Sequence, residues 1–246
     1  MYGRAFFDYV DAGSVPSARV VVDELFNLLR PDSVLDVGCG RGGWLAAWES
    51  AGCAQVCGVD GDYVDRTQLH IAPQLFQKAD LSVQFDLGRR FDLVQCLEVA
   101  EHIPPQSATV LVDSITRHGD TVLFSAAEPG QGGLQHINER PLDYWRGLFA
   151  ARGYEAFDAV RPRIYMKKQV EPWYRFNSII YANGAGQSLL PTEIVETRVP
   201  AGVALADFGS FAWKLRKAIL RYLPVGVIDR AAVLNSRLRQ SLRASR

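Results

Sequence analysis

Apolar residues recur every three or four positions through "SARVVVDELFNLLR", residues 17–30, behind a serine suited to capping, and Pro31 closes that helix. Nearly continuous apolar runs come next. "SVLDVG", "AQVCGVD", "FDLVQCLEV" and "DTVLFSAA" read as buried strands, with "LFQKADL" as a further strand behind a short helix. Between the runs the period changes to that of a helix. "WLAAWESAG" closes at Gly52, "SATVLVDSITRHG" spans a second helix, and "PLDYWRGLFAARGY" opens a third at Pro141, where the missing N–H of proline is harmless. Strand and helix alternate from residue 33 to 160, which predicts a parallel sheet covered on both faces. "YEAFDAV" and "FNSIIYAN" then read as a closing strand pair. The expected fold class is α/β, a doubly wound, mostly parallel seven-stranded sheet with a helical extension at the C-terminus.

The pattern divides the chain into a main domain over 1–182, a linker over 183–204 with three glycines and two prolines, and an extension over 205–246. In the extension Leu205, Phe208, Phe211, Leu215, Ile219 and Tyr222 share a helical spacing, as do Ile228, Ala231, Leu234, Leu238 and Leu242, so two amphipathic helices are expected, split at "LPVG".

Composition alters this picture at two points. The formal net charge is zero, yet residues 201–246 hold nine Lys or Arg against two acids, Asp207 and Asp229, which makes the tail basic and the main domain mildly acidic. The tail is expected to pack on its own domain or to join two copies in a homo-oligomer. Contact with an anionic membrane surface through Trp213, Lys214, Arg216, Lys217 and Arg221, or with an anionic substrate or nucleic acid, are the alternatives. No nucleic-acid module is recognised, so nucleic acid is not an expected partner. The four cysteines form no convincing metal pattern and read as reduced, which, with no signal peptide in the first residues and no run approaching the roughly 18 apolar residues of a membrane span, gives a cytoplasmic expectation.

The chemistry begins at "VLDVGCGRGGW", residues 34–44, where four glycines crowd into six positions at the first strand-to-helix turn. In an open α/β sheet ligands sit beyond the carboxyl ends of the strands, and glycine lets backbone approach them closely. Gly38, Gly40 and Gly43 fit G-x-G-x-x-G, so a nicotinamide-dependent oxidoreductase is one reading. Asp36 argues for another. Its carboxylate would repel a pyrophosphate but suits S-adenosylmethionine, which carries a sulfonium and an ammonium and no phosphate. Asp60, about 20 residues after the loop, can accept both hydroxyls of an adenosine ribose under either reading. Asp80 and Leu81 end the third strand, placed for an adenine ring.

Taken together, "VLDVGCGRGG", "GVDGDYV", "ADL", "FDLVQCLEVAEHIP" and "TVLFSAAEPGQGG" resemble, in content and order, the class I S-adenosylmethionine-dependent methyltransferases over roughly residues 30–160. The resemblance implies a Rossmann-like methyltransferase fold and cofactor roles for Asp36, Gly38, Gly40, Asp60, Asp80 and Leu81. The adjoining Cys39, Gly61, Leu97 and Glu98 complete the expected cofactor set.

Glu98, Glu101 and His102 stand at i, i+3 and i+4, and on one helical turn they would share a face that Pro104 cuts short. His136 leaves the same end of the sheet after the fifth strand. Two carboxylates and two imidazoles suit Mg2+ or another divalent cation, and this E-x-x-E-H arrangement is similar to that of the ubiquinone-pathway O-methyltransferases and of enzymes that methylate the terminal 2′-hydroxyl of small RNAs. An alcohol is a poor nucleophile until its proton leaves, so a neutral histidine or a metal favours O-methylation. His136 is the first candidate for the base and His102 the second. "PGQGGLQHINERPLDYW" is similar to bacterial methyltransferases of glycan or natural-product clusters, with Gly130, Gly132 and Gly133 letting the loop move. Tyr144 and Trp145 are expected along the acceptor pocket, and Tyr174 and Arg175 at its rim. The expected function is O-methylation of a small molecule or glycan, with an RNA 2′-O-methyltransferase or an NAD-dependent oxidoreductase as alternatives.

Overall fold

The computed structural model describes residues 3–223. Its elements run α1 (Arg4–Leu29), β1 (Ser33–Val37), α2 (Gly43–Ala51), β2 (Gln55–Asp60), β3 (Phe76–Lys78), β4 (Leu93–Leu97), α3 (Ala108–His118), β5 (Thr121–Ser125), α4 (Leu142–Ala150) and β6 (Glu155–Phe157), then α5 (Arg161–Ile164), α6 (Pro172–Asn177), β7 (Ile179–Ala182), α7 (Gly184–Gln187), α8 (Thr192–Val195) and α9 (Phe211–Leu220). The seven strands form one sheet in the order β3-β2-β1-β4-β5-β7-β6. Pairing is parallel from β3 to β5, and β7 runs antiparallel between β5 and β6. The strand order reverses between β1 and β4, which opens a crevice at their carboxyl ends. Register sets Asp36 level with Gly58 on one side and Gln95 on the other.

Each sheet face buries its own cluster. Val21, Val22 and Leu25 of α1 and Leu45 and Trp48 of α2 fill one. Leu111 and Ile115 of α3 with Trp145 and Phe149 of α4 fill the other. Gln95 is the polar exception in an otherwise apolar strand, and it is buried because Trp48 Nε1 donates to its Oε1 at 2.7 Å.

Three expectations change. The first helix begins at Arg4, not residue 17, and carries Pro16 inside it. Its early turns are held from outside, where Arg41 donates to Asp8 at 2.7 Å and Asp11 at 3.1 Å and lies over the Phe7 ring, so tertiary contacts override the local breaker. The expected linker at 183–204 is folded onto the main domain. Asn183 caps α7, Ile194 is fully buried, Val199 N donates to Ala156 O, and Arg146 reaches the carbonyls of Val199 and Pro200. Glycine and proline content marked its turns and could not reveal these long-range partners. Of the two tail helices, the first is seen as α9, and the second lies outside the described residues.

Candidate active site

The strand ends and their loops enclose a cavity of about 1320 Å³. All ten expected cofactor residues line it: Asp36, Gly38, Cys39, Gly40, Asp60, Gly61, Asp80, Leu81, Leu97 and Glu98, and so do Glu101, His102 and His136. After β1 the chain turns at once, with Gly38 at φ +83° and its N–H bonded to Val59 O at 2.7 Å. A Cβ on Gly38 would lie 2.3 Å from Val99 Cγ2, so glycine is required there by both conformation and space.

Two carboxyl groups face this loop. Asp36 is 3% exposed. Burial pushes it up to about 7, and the Asp60 charge adds to that, while the Gln95 side chain opposes the rise. Asp60 is also raised by burial, opposed by Tyr63 and the backbone N–H groups of Gly40 and Gly61. Its Oδ2 accepts from Gly40 N at 2.7 Å, and its Oδ1 accepts from Gly61 N at 2.7 Å and from Tyr63 Oη at 2.6 Å. Tyr63, three residues beyond the strand end, is a partner of Asp60 that the spacing alone did not reveal. Asp80 accepts from the backbone and hydroxyl of Ser82, which holds it below the usual carboxylate range.

At the end of β4 the chain does not enter a helical turn directly. Glu98 sits at φ +56° and the 3-10 turn spans Ala100–His102. The shared face expected of Glu98, Glu101 and His102 therefore does not form. Glu98 turns away, its Oε2 accepting from Gln131 Nε2 at 2.6 Å and its Oε1 from Asn177 Nδ2 at 3.2 Å, while Asn177 also donates to Gln131 Oε1 at 2.8 Å. A left-handed non-glycine residue in a cavity wall is strain that the surrounding bonds sustain.

Glu101, His102 and His136 do come together, each offering a donor atom within 4.8 Å of the others. The His102 and His136 rings meet edge to face at 4.9 Å, and His136 Nε2 lies 4.0 Å from Glu101 Oε1. Glu101 is 1% exposed, and the backbone N–H groups of Glu101 and Ala127 face its carboxyl. Burial, with the Glu98 charge behind it, pushes its carboxyl well above the ordinary range. His102 is pushed down to about 4 by burial and by His136, so it is neutral at pH 7; its Nδ1 lies 3.3 Å from Gln135 O. His136 Nδ1 is 2.9 Å from Glu139 Oε1. The same carboxylate accepts from the backbone N–H groups of Gly130 and Gly132 at 2.7 Å each. Burial works to raise Glu139, but His136 and those two amides win and hold it below the usual range.

The aromatic expectations divide. Tyr174 lines the cavity with Trp173 and Trp44, and Trp44 and Tyr174 pack edge to face at 5.0 Å. Trp145 is instead fully buried beside Phe124, at 5.4 Å, and neither it nor Tyr144 lines the cavity, because α4 turns that face onto the sheet. Arg175 points away and donates to Tyr165 O. Four contributions were not legible in the sequence: Phe6, Phe7 and Tyr9 from α1, Gln131 and Asn177 around Glu98, Glu139 behind His136, and Trp213, Arg216 and Leu220 from α9. Only Gln131 and Glu139 had a signal, as polar residues within the glycine-rich loop.

A family model described as a methyltransferase domain matches residues 17–159, more than half of the chain. The ubiquinone biosynthesis O-methyltransferase of Pseudomonas fluorescens (strain SBW25) is 33% identical over 154 residues, a match covering 58% of this chain and 58% of that protein. The chain thus matches less than two thirds of that relative's length. Among solved structures, an O-methyltransferase family protein from Burkholderia thailandensis superposes with a TM-score of 0.54 at 14% identity, covering 72% of this chain and 59% of the other. A sugar N-methyltransferase from Streptoalloteichus sp ATCC 53650 gives a TM-score of 0.50 at 19% identity, covering 70% and 87%. At these identities the two structures share the fold.

Proposed function

The chain belongs to the methyltransferase-domain family, the class I S-adenosylmethionine-dependent methyltransferases, and from that membership we propose that it transfers a methyl group to a hydroxyl oxygen of a small organic acceptor. The loop at Gly38–Gly40, the buried Asp36 and the strand-end Asp60 fit this cofactor: a turn with two of its three residues glycine, a carboxyl able to pair with a cation, and an acceptor pair for a ribose. When bound, S-adenosylmethionine supplies a methyl group on a positively charged sulfur that departs as a neutral thioether.

One observation carries the choice of oxygen as nucleophile: the Glu139–His136 pair, whose imidazole lines the cavity. A carboxylate held ionised accepts from Nδ1, and in the neutral ring that tautomer leaves Nε2 as the proton-accepting nitrogen. His136 Nε2 then takes the acceptor's hydroxyl proton as the oxygen attacks the methyl carbon. Glu139 stabilises the imidazolium that results. Asp36 and Asp60 would hold the donor, fixing it relative to the acceptor. Trp44, Trp173, Tyr174 and Trp213 give the cavity flat apolar walls, which suit a phenol or a sugar ring better than a polyanion such as RNA.

A divalent cation is a second arm of this reading, supported by the buried Glu101 carboxyl beside two imidazoles. A buried carboxyl is stable either protonated or paired with a cation, and Glu101, His102 and His136 offer a donor set of the right types. A cation there would lower the pKa of the acceptor hydroxyl. The two arms part on one experiment, labelled-methyl transfer to a panel of phenols and sugars with and without chelator. With His136 as base, His136→Ala lowers kcat by about 10²–10⁴ and chelator has no effect. With the cation, chelator abolishes turnover and Mg2+ restores it. No transfer to any hydroxylated acceptor, with methylation of amines instead, would refute the O-methylation reading.

A further inference from the structure

Helix α9 has two unlike faces. Its inner face holds it to the main domain: Trp213 and Lys217 are buried, Lys217 pairs with Glu128 and Asp207, and Arg216 donates to Gln131 O at 2.5 Å. Trp213, Arg216 and Leu220 line the large cavity, so this helix is part of its mouth. The outer face is the reverse of what a soluble surface shows. Phe211, Leu215, Ile219 and Tyr222, spaced four, four and three apart, form a single stripe, and they are 83%, 50%, 55% and 85% exposed. The amphipathic period read from the sequence is present, but its apolar side faces outward.

Charge selects what covers it. Lys214 and Arg221 flank the stripe on one side, both exposed at the surface, while Arg216 is engaged by Gln131 O and the Trp213 ring. The rest of the tail, 224–246, holds five arginines and one acid, Asp229. A second copy of α9 laid onto the stripe would bring cations against cations. A polyanion such as nucleic acid would satisfy the cations and leave four large apolar side chains in water. A surface that is both anionic and apolar beneath its charge satisfies both, and that is the headgroup boundary of a bilayer. No helix among the described residues is long and apolar enough to cross a membrane, so the contact is peripheral.

We propose that the outer face of α9 docks the chain on an anionic lipid bilayer. The inner face of the same helix walls the cavity, so docking sets the cavity mouth about one helix diameter, roughly 10 Å, from the lipid. Resting on the methyl-transfer reading, this makes the acceptor an apolar, bilayer-dissolved molecule bearing a hydroxyl.

The test is flotation of the full chain with vesicles of phosphatidylcholine alone and of phosphatidylcholine with phosphatidylglycerol. Binding is expected to the anionic vesicles, falling as salt rises. Leu215→Glu with Ile219→Glu should abolish it. Lys214→Gln with Arg221→Gln should weaken it by roughly 30-fold, at about 1 kcal/mol per cation near the surface. Both double variants should keep the parent's melting temperature and affinity for S-adenosylmethionine, which separates loss of docking from loss of the methyltransferase site. Absence of vesicle binding, or binding indifferent to these substitutions, overturns the proposal. So does a dimer in solution that Ile219→Glu dissolves, or a lowered melting temperature with vesicle binding intact, since those outcomes mean that a second copy or the chain's own tail covers the stripe. If vesicle binding stands and no methyl transfer occurs to any hydroxylated acceptor, docking survives and the acceptor assignment falls.

Discussion

Replacing Asp36 with asparagine will move fold stability and cofactor affinity in opposite directions. The carboxyl lies under the glycine loop, 3% exposed and raised from 3.8 to about 7 by burial. The folded chain therefore holds this proton to a higher pH than the unfolded chain does. The penalty is absent below about pH 4, grows as pH rises, and is complete above about pH 7, where it amounts to about 4 kcal/mol at 1.36 kcal/mol per unit. Asparagine has no such penalty. Without cofactor, Asp36→Asn should be the more stable chain, with its advantage widening by about 1.4 kcal/mol between pH 6 and pH 8. Binding runs the other way, because a cationic ligand favours the carboxylate. With a pKa of about 7 the ionised fraction falls from about one half at pH 7 to about one hundredth at pH 5, so the wild-type affinity for S-adenosylmethionine should fall by up to about 50-fold across that window, about 2.3 kcal/mol. Above about pH 7.7 the ligand's own ammonium begins to titrate, so the window stops short of it. Denaturant melts of the free chain and titration calorimetry from pH 5 to 7 read the two effects. Asp60 and Cys39 also face this loop, and the asparagine variant isolates Asp36 from them. A wild-type affinity that is flat with pH, or an asparagine variant with the same slope as wild type, would refute the pairing of Asp36 with the donor's positive charge.

Glu139→Gln places an amide against His136 Nδ1, which can reverse the ring tautomer and put the proton on Nε2. We expect kcat to fall on the order of 100-fold with S-adenosylmethionine affinity within about twofold of wild type; equal loss of both would assign Glu139 to holding the Gly130–Gly132 loop alone. Gly38→Ala forces a left-handed alanine, costing about 1–2 kcal/mol, and pushes a methyl into Val99. Thermal melts should show a destabilised chain in which Val99→Ala restores the part due to the clash and leaves the conformational part; full rescue would mean that the backbone tolerates the substitution.

What the sequence determined by itself was the order and type of the elements and the inventory of the site. Period and punctuation are local properties, so the alternation from 33 to 160, the closing pair and the turn at Gly38 were legible, and topology then brought the thirteen expected residues to one cavity. What only tertiary structure decided was which partners each of them has. Glu98 separates from Glu101 and His102 because the backbone turns left-handed at Glu98 and because Gln131 and Asn177, far along the chain, claim its oxygens. The early turns of α1 form despite Pro16 because Arg41 reaches them from the glycine loop. Trp145 goes to the core rather than the pocket because α4 packs that face against Phe124. The apolar stripe of α9 faces outward because Lys217, a charged residue, is the one that Glu128 and Asp207 draw inward. Spacing along a helix says which side chains share a face; the direction of that face depends on contacts between segments distant in the chain, and those are energies of packing and charge that no local period encodes.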